Sequence, residues 1–171
     1  NAVNFTGNGG TFSATNMNLS DDFTLSAGNI TIPGSLTFPA NPATHKVSVA
    51  TGSAFSLGTL TCSSGGSDVV EKRGQGACNI LTAISGVESI QIFEGTLKTD
   101  IAALSTTAAV IGGTLAGSGT WDFISGVTGN ISPGSSPGIL TARVMDLAPA
   151  LSLNLEIGGP LAGTQYDQIF L

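Results

Sequence analysis

Charge is what this chain of 171 residues most lacks. Asp, Glu, Lys and Arg together make up 9% of it, against roughly 25% in an ordinary soluble domain. Aromatic residues are also sparse, with one Trp, one Tyr and eight Phe, and there is a single His. The five basic residues, Lys46, Lys72, Arg73, Lys98 and Arg143, are scattered. A net charge of −6 offers no basic surface to a phosphate backbone, so nucleic acid is excluded as a partner. No apolar run approaches the roughly 20 residues needed to span a bilayer, and this segment is not expected to insert into a membrane. The chain starts Asn1-Ala2-Val3-Asn4, without the basic start and apolar centre of a signal peptide, which reads as a processed chain or an excised segment of an exported precursor.

Low charge combined with many polar residues can signal disorder, but disorder also requires few apolar residues. Here 41% of the chain is apolar and the mean hydropathy is +0.33, so a folded chain with an apolar core is expected. Its length suits one domain spanning residues 1–171.

Glycine is abundant, at 24 residues. With Ser and Thr it interrupts every window that would otherwise support a helix. Short alternating segments dominate instead: Phe23-Thr24-Leu25-Ser26, Asn29-Ile30-Thr31-Ile32, Lys46-Val47-Ser48-Val49, Ser89-Ile90-Gln91-Ile92-Phe93 and Leu151 to Ile157. Each places alternate apolar side chains on one face of a strand. Gly-containing turns at Ala27-Gly28, Pro33-Gly34, Thr51-Gly52, Gly112-Gly113 and Gly158-Gly159-Pro160 keep these strands short.

Many short strands fit a sandwich, a jelly roll or a solenoid. A recurring phrase favours the solenoid: Gly10-Thr11-Phe12, Gly58-Thr59-Leu60, Gly95-Thr96-Leu97 and Gly113-Thr114-Leu115. Scarce charge points the same way, because stacked coils set like side chains directly above one another. The expected fold is therefore all-β, a parallel β-helix or β-solenoid. At roughly 20 residues per coil it would have about eight rungs and a length of about 40 Å.

The stretch Val70-Glu71-Lys72-Arg73-Gly74-Gln75-Gly76-Ala77-Cys78-Asn79-Ile80, with Ile92-Phe93-Glu94-Gly95-Thr96-Leu97, resembles the autotransporter-associated β-strand repeat. The stretch Ile111 to Thr120, then Ile131-Ser132-Pro133-Gly134-Ser135-Ser136-Pro137-Gly138-Ile139-Leu140 and Tyr166-Asp167-Gln168-Ile169, is similar to the passenger-associated transport repeat of the same proteins. The likeness covers residues 70–171 well and residues 1–69 loosely. It implies a right-handed parallel β-helix, exported from a bacterium and displayed or released as a rigid stalk or fibre, without shared catalytic residues. Cysteines are foreign to that pattern.

Candidate sites are few. Cys62 and Cys78 are the only cysteines; a bridge between them would close a loop of about 15 residues and contribute about 3 kcal/mol in the chain-entropy model, with two buried free thiols as the alternative. His45, near Pro42, reads as a solvent-facing loop residue. With only two thiols beside it, linear spacing provides no transition-metal cluster. The carboxylates are dispersed apart from Asp21-Asp22, and adjacent residues on a strand face opposite ways, so neither a glycan-cleaving pair nor any other catalytic or cofactor site is expected. No calcium-binding nonapeptide or EF-hand loop occurs, and the phenylalanines read as a core stack.

The function expected is structural: an extracellular or cell-surface rod that associates with copies of itself end to end. Its contacts are assigned to Asn4, Phe5 and Phe12 at one end and to Tyr166, Ile169, Phe170 and Leu171 at the other. An adhesin segment binding a glycan or a host-matrix surface is the alternative, and a polysaccharide-degrading β-helix enzyme ranks below it.

Overall fold

The computed structural model describes residues 3–20, 22–39, 43–63, 67–134 and 137–171, with residues 3–13 as backbone alone. The strands, in chain order, are β1 (Val3–Ser13), β2 (Met17–Asn18), β3 (Phe23–Phe38), β4 (Thr44–Val49), β5 (Ala54–Cys62), β6 (Asp68–Arg73), β7 (Ala77–Ser85) and β8 (Val87–Ile92). They continue with β9 (Thr96–Thr99), β10 (Ala102–Val110), β11 (Thr114–Gly117), β12 (Thr120–Gly126), β13 (Gly129–Pro133), β14 (Ile139–Leu147), β15 (Leu151–Leu153) and β16 (Gln168–Phe170). The described residues contain no helix.

Every ladder between these strands is parallel, and consecutive strands seldom pair. From β3 onward, the even strands stack as β3-β4-β6-β8-β10-β12-β14-β16 and the odd strands as β3-β5-β7-β9-β11-β13-β15. Pairing with the strand two steps along, always in the same direction, is what a chain wound into stacked coils produces. The fold is the β-solenoid expected from the sequence.

One column of inward-facing residues runs unbroken along the axis: Phe23, Val47, Lys72, Ile92, Val110, Gly126 and Leu147. Read from these numbers, successive coils take 24, 25, 20, 18, 16 and 21 residues. The solenoid thus has about six turns rather than eight. The coil length expected from the sequence holds on average. Beyond these six, β1 stacks on β3 with Val3 in register with Phe23, and β16 stacks on β14. At about 4.8 Å per rung, six coils rise about 29 Å.

The core follows from side-chain alternation. Along β4 the odd-numbered His45, Val47 and Val49 are buried, while Thr44 and Lys46 are exposed. Along β6 the even-numbered Asp68, Val70 and Lys72 are buried. Like residues also stack: Thr96 lies in register with Thr114, and Leu97 with Leu115. The similar Gly58-Thr59-Leu60 phrase occupies a different face, where Leu60 pairs with Leu36 and Ile84. Phe23, Phe38 and Phe55 are fully buried, and the rings of Phe23 and Phe55 stack with centroids 4.3 Å apart. The expected aromatic stack exists in the lower coils only: Phe93 and Phe123 are half-buried and Phe170 is 55% exposed.

The expected seven-residue strand from Leu151 to Ile157 is corrected to three residues. β15 finds its partner only over Gly129–Ile131 of β13. Beyond that, Ile157 instead meets Tyr166 in an antiparallel bridge.

A candidate metal centre at a coil corner

Two successive coils turn the same corner between β3 and β4 and between β5 and β6. The lower one carries Phe38 at the end of β3 and His45 near the start of β4; the upper one carries Cys62, in register with Phe38, and Asp68, at the start of β6. His45 and Asp68 are fully buried and Cys62 is 4% exposed. One donor atom from each of the three lies within 4.8 Å of the other two. The His45 ring stacks on Phe38, with centroids 4.5 Å apart and 16° between planes. Burial pushes the Cys62 thiol up to about 12, and the neighbouring Asp68 carboxylate adds to this by its charge and by accepting a hydrogen bond.

Two expectations are corrected here. His45 is not a solvent-facing loop residue, because the alternation of β4 carries it inward. Cys62 and Cys78 are buried free thiols. Cys62 closes β5 in register with Phe38, whereas Cys78 stacks between Phe55 and Leu97 on another face of the coil. A short loop in sequence does not bring together two residues that the coil assigns to different columns. Burial also pushes the Cys78 thiol up to about 12, with nearby Lys72 opposing the rise.

A second polar cluster explains the Lys-x-Gly-x-Gly and Glu-Gly-Thr-Leu segments. Lys72 is 1% exposed. Its ammonium donates to the carbonyl oxygens of Arg73 at 2.8 Å, Gly74 at 2.7 Å and Glu94 at 3.1 Å. The Gly74 N–H donates to the Glu94 carboxylate at 2.9 Å, and Arg73 lies over the Phe93 ring at 4.0 Å. The two segments therefore staple one coil to the next at a shared corner. Burial lowers the Lys72 pKa, against the opposing influence of Cys78 and Glu94.

Five further carboxylates are also hydrogen-bonded. Asp22 accepts from the Lys46 N–H, Glu71 from Arg73, Asp100 from the Ser118 N–H and Asp122 from Arg143. The hydrogen bond with Arg143 holds Asp122 below the usual carboxylate range. Asp167 is 6% exposed and accepts from Gly138 N–H at 2.7 Å and Glu156 N–H at 2.8 Å. It ties the last strand to the turn before β14.

Of the expected assembly residues, Asn4, Phe5 and Phe12 lie in β1, whose side chains are outside the described residues; the strand itself pairs in parallel with β3. At the other end Tyr166 and Ile169 are half-buried, while Phe170 is 55% and Leu171 76% exposed.

Sequence reasoning missed the His45, Cys62 and Asp68 corner because its members are 17 and 6 residues apart, outside any local motif. Extending the Lys46–Val49 alternation back by one step would have turned His45 inward. A coil of about 20 residues would then have set it beneath the segment holding Cys62 and Asp68. Comparison with protein-family models, curated proteins and solved structures finds no match for this chain.

Proposed function

We propose that this chain is a structural segment of an exported bacterial surface protein, a rigid β-solenoid rod that associates end to end with copies of itself. The observation carrying this reading is the all-parallel stack of coils, whose two ends are unlike. Among the described residues, β15 pairs only with β13 and β16 only with β14, so each keeps one open edge. Leu153 (45%), Leu155 (47%), Ile157 (85%), Phe170 (55%) and Leu171 (76%) are exposed there. A parallel stack has unlike ends, so contact between copies is head to tail and propagates as a filament rather than closing into a dimer. The resemblance to autotransporter passenger repeats supports an extracellular or cell-surface location, and the structural use of the described carboxylates supports a non-enzymatic role.

Negative-stain electron microscopy and sedimentation of the purified chain over a range of concentrations test this reading. Filaments with a regular axial repeat are expected, and Ile169→Lys with Phe170→Lys should abolish them while preserving the β spectrum. A monodisperse monomer at high concentration would overturn the proposal.

A further inference from the structure

We propose that His45, Cys62 and Asp68 are three ligands of a divalent transition metal ion, with Zn2+ the ion their donor set fits best. One imidazole nitrogen, one sulfur and one carboxylate oxygen converge at the corner described above. Nitrogen and sulfur donors select against Ca2+ and Mg2+, which take oxygen, whereas all three types bind Zn2+ at about 2.0–2.3 Å. Donor atoms around a tetrahedral ion of that size stand ~3.5 Å apart. Three atoms already within 4.8 Å need only small side-chain adjustments to close on one.

The neighbouring coils provide an independent argument. His45 stands in a column with Val70, Ile90, Ala108 and Ile124, and Asp68 lies in register with Val87. The stacked neighbours of both residues are apolar, so the imidazole and the carboxylate are departures from the pattern of their columns. The single histidine and one of two cysteines meet at this one corner. A metal held there would join the coil carrying His45 to the coil carrying Cys62 and Asp68, serving as a cross-link that the two thiols do not make with each other.

The test titrates the full, chelator-treated chain with Co2+, followed by Zn2+. We expect one equivalent of Co2+ to bind with a thiolate-to-cobalt charge-transfer band, displaced by Zn2+. That band should be lost in Cys62→Ser and kept in Cys78→Ser. A wild-type chain without the band, or a band that depends on Cys78, would overturn the proposal. Should Cys62→Ser fail to fold, X-ray absorption of the Zn2+-loaded wild type decides. One sulfur neighbour at about 2.3 Å with nitrogen or oxygen neighbours supports the site, and a shell of nitrogen and oxygen alone refutes it.

Discussion

Two glycines with nearly the same backbone conformation should respond very differently to one added methyl group. Gly95 has φ +63° and Gly52 has φ +75°, both in the left-handed region where an L side chain costs roughly 1–2 kcal/mol. A Cβ at Gly52 meets nothing within 4 Å. Gly52→Ala should therefore lose about 1 kcal/mol, since alanine also restricts the unfolded chain. A Cβ at Gly95 would lie 2.4 Å from the Gly76 carbonyl oxygen and 2.5 Å from that of Gly74. Both contacts are with backbone of the rung below, which cannot rotate aside as a side chain would. Relief requires shifting that rung, where the Gly76 oxygen also accepts from Thr96 N–H. Overpacking of this kind costs about 1–3 kcal/mol, and a weakened hydrogen bond about 1 more. Gly95→Ala is expected to lose about 3–5 kcal/mol in total. Urea unfolding followed by circular dichroism, with the variants compared at equal slope, measures the difference. Equal destabilisation by both substitutions, or a Gly95→Ala chain as stable as Gly52→Ala, would refute the claim that close stacking rather than backbone conformation dictates glycine at this corner.

Other outcomes follow from the buried polar groups. The thiols of Cys62 and Cys78 rise from 9.0 unfolded to about 12 folded. Their stabilising effect is complete below pH 9 and is lost as pH climbs towards 12, so stability should fall across that window. Cys78→Ala should flatten that fall in a series of urea titrations, and an unchanged slope would count against the assignment. Lys72→Met leaves the carbonyls of Arg73, Gly74 and Glu94 without their ammonium donor and should cost about 3 kcal/mol or more in thermal or urea unfolding; a neutral result would mean the staple contributes nothing net. Asp167→Ala removes two charge-assisted bonds worth about 1.5–3 kcal/mol each. Hydrogen exchange should quicken at Gly138, Glu156 and β16 and stay unchanged at β6 to β10, whereas uniform acceleration would show that the last rung is not a separate stability unit.

The strands were legible because burial on one face imposes a period of two, which the chain keeps along Phe23–Ser26, Asn29–Ile32 and Lys46–Val49. The solenoid was legible because its coils are near-copies, so that Gly95-Thr96-Leu97 foreshadowed Gly113-Thr114-Leu115. What sequence reading missed is vertical. Whether Cys62 faces Cys78 or Asp68 depends on which column each enters, and column membership is set by corner lengths that vary from coil to coil. The same cause shortened the expected Leu151–Ile157 strand: its alternation is intact, but β13 offers no partner beyond Ile131. His45 was misplaced because nearby prolines suggested a loop, although strand parity already reached it.

The coils differ by as much as nine residues, yet the column from Phe23 to Leu147 is never broken. Differences in length are absorbed where the chain bends and at register shifts within ladders, as between Ala103 and Thr107 of β10 and between Leu57 and Thr59 of β5. Corners thus act as expansion joints: insertions and deletions can accumulate there, each changing the outline of a single storey, while the load-carrying columns above and below keep their alignment.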